Sequence, residues 1–151
     1  MKIAVAADHA GVPLNEEVIA ELRRLGHEVT DLGTHDANNG DDYPDHAADL
    51  ARAILEGCCE RGVLICGSGV GASVAANKIK GIRAGLAHDS YSAHQGVEHD
   101  NMNVICMGSR VVGVALALDL VRAFVGAQFT GEERHERRLA KVAKLESSGR
   151  P

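Results

Sequence analysis

Short apolar runs alternate with stretches that carry apolar residues at helical spacing, and they do so along the whole sequence. Residues 2–7 (KIAVAA) form a β-like run. Leu14, Val18, Leu22 and Leu25 then recur at three- and four-residue intervals, and Gly26 supplies a C-terminal stop. Residues 27–32 read as a second strand and residues 33–42 (GTHDANNGDD) as a polar loop. Pro44 and Asp45 open a helix that runs to about Leu55 and closes near Gly57. A third, continuously apolar strand at 62–66 runs into Gly67-Ser68-Gly69-Val70-Gly71 and a helix over 72–79. Residues 82–87 and 103–107 form the fourth and fifth strands, with a helix at 90–97 between them. A long apolar helix at 112–125 and a charged helix at 132–146 follow, and residues 147–151 are expected to fray.

Strands alternating with helices imply a parallel sheet covered on both faces and joined by right-handed crossovers. The expected fold is α/β: a single doubly wound, Rossmann-like domain over residues 1–151. It has about five parallel strands, helices on both faces and a C-terminal helix. A length of 151 residues leaves no room for a second core, and 45% hydrophobic residues exclude wholesale disorder. A formal charge of −5 and 3% aromatic residues argue against a nucleic-acid partner. No apolar run reaches the length of a membrane span, and the N-terminal run is too short for a signal peptide. Cys58, Cys59, Cys66 and Cys106 lack a spaced framework, so they read as reduced thiols of a cytoplasmic protein. No Cys/His spacing resembles a zinc site, and no metal is expected.

Ligands of such sheets bind beyond the carboxyl ends of the strands. That rule selects Asp8 and His9 after the first strand, Cys66 and the glycine loop after the third, and Gly108-Ser109-Arg110 after the fifth. Glycines let several N–H groups converge, and the helix that follows favours an anion there. The same loop is equally compatible with a tight turn that binds nothing. Cys66, at a strand end beside a helix N-terminus, is expected to carry thiolate character and to act as base or nucleophile. Cys106 reads as inert core. Asp8-His9 alone reads better as an Asx turn with a solvated histidine. His99, in a polar Glu-His-Asp-Asn-Met-Asn segment, is a plausible proton donor, whereas His27, His35, His46 and His94 read as ordinary surface residues. Arg134 and Arg138 on the last helix suit a phosphate-bearing substrate.

Together these residues resemble the type B ribose-5-phosphate isomerases of the ribose/galactose isomerase family. The likeness rests on Asp8-His9-Ala10-Gly11, Asp42-Tyr43-Pro44-Asp45, Ile65 to Gly71, Ala75-Ala76-Asn77-Lys78, Gly81-Ile82-Arg83-Ala84, the 99–103 segment and Gly108 to Gly113, in that order over essentially the whole chain. It implies an aldose–ketose isomerase working through a cis-enediolate with no metal or organic cofactor. By that resemblance Cys66 is the base, Ser68 holds the reacting oxygens, and the amides of Gly67, Gly69 and Gly71 form the anion hole. His99 assists ring opening, Asp8 and Tyr43 contact the sugar, Asp100 is a further substrate-binding residue, and His9, Arg110, Arg134 and Arg138 bind the phosphate. The family likeness also implies a homodimer or homotetramer with shared active sites. The sequence departs from the family pattern in its Asp100-Asn101 order, in Ser68 for threonine, and in Ala72 where one branch carries a glutamate base.

Two other readings remain open at this level. One is an isomerase of a four- or six-carbon aldose phosphate. The other is a noncatalytic phosphate-ligand module on the same scaffold.

Overall fold

In an inner parallel strand both faces must be apolar, and the central runs of this chain satisfy that requirement. The computed structural model describes residues 1–148; the expectation of fraying at 149–151 lies outside the described residues. The strands are β1 (Lys2–Ala7), β2 (Glu28–Asp31), β3 (Arg61–Cys66), β4 (Ala84–Leu86) and β5 (Val104–Gly108). They form one parallel sheet in the order β2-β1-β3-β5-β4. The helices are α1 (Val12–Arg24), α2 (Tyr43–Leu55), α3 (Val70–Ala76), α4 (Ser90–Asp100), α5 (Val114–Gly126) and α6 (Glu133–Ser148). Ser147 and Ser148 are therefore helical, a correction to the expected fraying at those two positions.

Side-chain alternation sorts the core into two layers. Ile3, Val5, Val63, Ile65, Ile105 and Met107 face α1, α4 and α5. Ala4, Ala6, Leu64, Cys66, Val104 and Cys106 face α2 and α3. Steps toward the β2 edge use α1 and α4, and steps toward the β4 edge use α2 and α3. All the crossovers thus share one hand. The expected fold class holds. Among the described residues, no helix is long and apolar enough to cross a membrane.

The departures from the expected boundaries have local causes. β4 spans three residues, where 82–87 was expected, because asparagine amides replace the ladder at its start. Asn103 Oδ1 accepts from the Arg83 amide at 2.7 Å while its Nδ2 donates to the Gly81 carbonyl at 2.9 Å. Asn77 clamps Ala84 in the same way, accepting from its N–H at 2.9 Å and donating to its carbonyl at 2.8 Å. Asn77 also ends α3 early, as its C-cap. Helix α4 starts at an Asp89 cap whose carboxylate accepts from the Ser92 amide at 2.7 Å. It runs three residues past the expected end and stops where Asn101 takes the left-handed conformation, φ 47°. His99 therefore stands in the last turn of a helix rather than in a loop. The apolar helix α5 sends Ala117, Leu120, Val121 and Phe124 into the core. Arg61 anchors its C-terminal end through the Phe124 and Ala127 carbonyls, at 2.6 and 2.8 Å.

Candidate active site

The order β2-β1-β3-β5-β4 puts the carboxyl ends of β1, β3 and β5 side by side at the point where the chain reverses direction across the sheet. Backbone hydrogen bonds stitch the three following loops together. The Asp8 amide donates to the Ile65 carbonyl at 3.2 Å, Ser109 to Cys66 at 2.9 Å and Arg110 to Gly67 at 3.0 Å. The Ser109 hydroxyl closes the ring on the Ala10 carbonyl. Above them lies a cavity of about 340 Å³ lined by Asp8, His9, Ala10, Tyr43, Cys66, Gly67, Ser68, Gly71, Arg110 and Val111.

Cys66 ends β3 on the α2–α3 side of the sheet and is almost fully buried, with Sγ accepting from the Gly69 amide at 3.1 Å. That bond places a backbone donor on the sulfur. Gly69 caps α3 at φ 81°, a conformation that favours glycine, and this turn aims the loop's amides back toward the strand end. Ser68 Oγ accepts from the Val70 amide at 3.3 Å. Gly71 begins the first turn of α3 beneath the Tyr43 ring, whose Cζ would lie 2.8 Å from an added Cβ. Asp8 is buried, and one carboxylate oxygen accepts from the Ala10 and Gly11 amides at 3.0 Å each. The Asx turn expected of Asp8 is thus present, and the residue lines the cavity as well. Deep burial pushes the Cys106 thiol far above its ordinary range, in keeping with inert core.

The residues singled out from sequence separate into two groups. Asp8, His9, Tyr43, Cys66, Gly67, Ser68, Gly71 and Arg110 line the cavity, with Gly69 behind Cys66. His99, Arg134, Arg138 and Asp100 do not line it. His99 stacks on His135 of α6 with ring centroids 4.1 Å apart and lies 2.7 Å from the Gln95 amide nitrogen. Burial and the neighbouring His99 lower the pKa of His135, whose buried Nε2 has no hydrogen-bond partner among the described residues. Arg134 is exposed and bonds Glu132 at 2.8 Å. Asp100 lines a separate apolar groove of about 920 Å³ between β4, α4 and α6.

Two residues that reach the cavity through His9 differ from the sequence reading. Asp41 lies in the loop assigned as merely polar, and His46 was assigned to the surface. His46 is instead largely buried, its side chain 14% exposed, and its Nε2 donates to Asp41 Oδ2 at 2.6 Å. The available signal was helical spacing, since His46 stands three residues after Tyr43 on α2. His27 is also half-buried, and burial lowers its pKa. Among the described residues, no three His, Cys, Asp or Glu side chains form a metal-ligating group.

A sheet whose central strand ends carry a cysteine, a glycine loop, a carboxylate and an arginine around one cavity presents a small-molecule site with a candidate base or nucleophile beside anion-binding amides. The family model for Ribose/Galactose Isomerase matches residues 3–142, and the chain belongs to that family. It is 44% identical over 145 residues to the ribose-5-phosphate isomerase B of Escherichia coli, covering 96% of each chain. It is 40% identical over 131 residues to a D-erythrulose-4-phosphate isomerase of Pectobacterium atrosepticum, covering 87% of this chain and 86% of the relative. The ribose-5-phosphate isomerase B structure of Clostridium thermocellum superposes with a TM-score of 0.95 at 43% identity, covering 99% of both chains.

Proposed function

We propose that the protein interconverts ribose 5-phosphate and ribulose 5-phosphate through a cis-enediolate. The observation that carries this reading is the single cavity that gathers Cys66, the glycine-loop amides, Asp8, His9, Tyr43 and Arg110. In the forward direction the Cys66 thiolate removes the proton from C2 of the open-chain aldose. The electron pair moves into an enediolate, and the thiol returns the proton to C1 as the ketose forms. Backbone amides of Gly67 and Gly71 stabilise the charge that develops on the oxygens, with the Ser68 hydroxyl beside them, while the Gly69 amide holds the sulfur. Asp8 and Tyr43 orient the sugar, and His9 and Arg110 take the phosphate. The reaction moves the C2 proton to C1 and a hydroxyl proton from O2 to O1 within one molecule, with the Ser68 hydroxyl beside both oxygens, so it calls for no metal or organic cofactor.

His99, Arg134 and Arg138 belong to this mechanism through a second copy of the chain. They stand on α4 and α6, outside the cavity, while Val111 on the cavity wall and Val70 and Val74 on α3 are more than half exposed. A homodimer or homotetramer in which the partner brings a ring-opening histidine, a sugar contact from Asp100 and phosphate-binding arginines accounts for both facts. The protein is assigned to the cytoplasm on the same reading. The 40% identity to the Pectobacterium atrosepticum relative favours one alternative substrate, a four-carbon sugar phosphate.

The test is a coupled assay across ribose 5-phosphate, an erythrose phosphate and allose 6-phosphate, with Cys66→Ala as control. The expected result is highest catalytic efficiency on the pentose and a fall of about 10² to 10⁴ in the variant, the usual share of a general base. Full activity of Cys66→Ala removes the cysteine from the mechanism. Preference for the tetrose phosphate keeps the mechanism and changes the substrate. Sedimentation as a monomer at micromolar concentration overturns the shared site.

A further inference from the structure

We propose that Asp41 is a positioning residue of this site: it turns His9 so that its Nε2 is left to the substrate's phosphate, and His46 holds Asp41 in place. The proposal deepens the isomerase reading and rests on it for the identity of the phosphate ligand. Asp41 comes from the loop between β2 and α2, far in sequence from His9, yet it meets that residue at three points. Its Oδ1 accepts from the His9 amide at 2.8 Å and lies 2.9 Å from His9 Nδ1. Its carbonyl oxygen lies 3.1 Å from the same ring nitrogen. Both neighbours of Nδ1 are acceptors, so Nδ1 carries a hydrogen and the tautomer is fixed. Nε2 is then the ring nitrogen left for a ligand in the cavity that His9 lines.

The other carboxylate oxygen of Asp41 is held as firmly. His46 Nε2 reaches it at 2.6 Å and the Asn39 amide at 3.5 Å, while His46 Nδ1 lies 3.4 Å from the Leu32 carbonyl. Burial by itself would raise the Asp41 carboxyl. The His9 amide, the His46 ring and the His9 ring outweigh that effect and hold it at about 2. Asp41 is thus a fixed negative charge behind His9.

That charge matters because of what His9 must do. A neutral imidazole with hydrogen on Nδ1 presents a lone pair to phosphate oxygens, and an imidazolium presents a charged donor. The hydrogen bond to the Asp41 side chain raises the His9 pKa; partial burial opposes it, and the Asp41 carbonyl and the charges of Asp8 and Asp41 add to it. The other ionisable groups around the cavity are Arg110, Cys66 and Tyr43. Arg110 is a second cation there, and Asp41 lets two cations share one small space. The upward shift means that the imidazolium persists as pH climbs, and removal of Asp41 lowers the pH at which His9 stops contributing to phosphate capture.

The experiment compares wild type, Asp41→Asn and His46→Gln. It uses kcat and KM for ribose 5-phosphate from about pH 6 to about pH 9, and a ring-NMR titration of His9 with and without inorganic phosphate. His9→Gln supplies the assignment. Asp41→Asn keeps the shape and removes the charge. It is expected to raise KM about three- to tenfold above neutral pH, to leave kcat within about twofold, and to move the His9 titration to lower pH. His46→Gln is expected to act in the same direction and less strongly. Unchanged KM and an unchanged His9 titration in both variants overturn the proposal. A wild type that ignores ribose 5-phosphate overturns the substrate reading alone, because the His9 titration and phosphate binding still decide the role of Asp41.

Discussion

Replacing Gly71 by alanine should separate activity from stability, because the two respond to it with opposite signs. The added Cβ would lie 2.8 Å from Tyr43 Cζ and 3.0 and 3.1 Å from the ring's two ε carbons. An approach under 3.0 Å cannot persist and ordinary contact begins at 3.4 Å, so the ring must retreat by a few tenths of an ångström, and by about 0.6 Å to regain ordinary contact. Tyr43 is 40% exposed and can swing outward without disturbing the core. A displacement of about 1 Å in a positioning group costs on the order of 10²-fold, so about tenfold in kcat/KM is expected here. Gly71 lies in α3 and lacks a positive φ, so alanine suits its backbone and stabilises the helix by up to about 1 kcal/mol. For a chain of this size that raises Tm by about 2–4 °C. The amide N–H of residue 71 is retained, which confines the effect to Tyr43. The assay pairs steady-state isomerisation with thermal unfolding, and adds Tyr43→Ala and the double variant. In the Tyr43→Ala background the Gly71 substitution should cost almost nothing further. Wild-type activity in Gly71→Ala, or the same tenfold loss in the double cycle, would refute the geometric argument.

Two further outcomes concern the scaffold. Asn103→Ala removes both bonds that hold the start of β4, and should destabilise the protein by about 2–3 kcal/mol in denaturant titration, with an unchanged m-value. Glu21 is buried between Arg24 and Arg122, whose hydrogen bonds lower its pKa from 4.5 to about 2. A depressed carboxylate contributes stability above its unfolded value and loses it as pH falls through the folded one. Glu21→Gln should therefore be less stable than wild type at neutral pH, and the gap should narrow between pH 4.5 and about 2. A gap that stays constant across that window would show that the charge is not what Glu21 contributes.

The central strands were legible because β1, β3 and β5 need apolar residues on both faces, and their sequences supply them without interruption. Asp8, His9, Cys66 and Arg110 were legible for a related reason, since the strand ends fix where a ligand crevice must be. The short β4 was not, because Asn77 and Asn103 read as loop residues while serving as backbone partners. Helix α4 was underestimated because Asn101, which ends it at a left-handed turn, lies in a stretch too polar to look helical. Asp41 and His46 escaped notice for a different reason. Their meaning lies in a contact made across the fold to His9, and a loop rich in Asp and Asn gives no local sign of it. The separation of His99 from Cys66 was not legible, because strand and helix patterns do not say which way a side chain in the last turn of α4 faces.

The position of β5 between β3 and β4 also sets a timetable for the chain as it leaves the ribosome. β4 pairs with no strand but β5, so residues 84–86 must wait until residues 104–108 have been synthesised. β3 can dock on β1 earlier, but its other edge stays open for the same interval. Until β5 slides into that gap, the loop at Arg110 cannot close on Gly67, and Cys66 lies at an unfinished strand end. Arg110 thus joins the thiol, the glycine loop and Asp8 last. Shortened chains that stop before residue 104 would display an open sheet edge, a ready template for pairing with another chain.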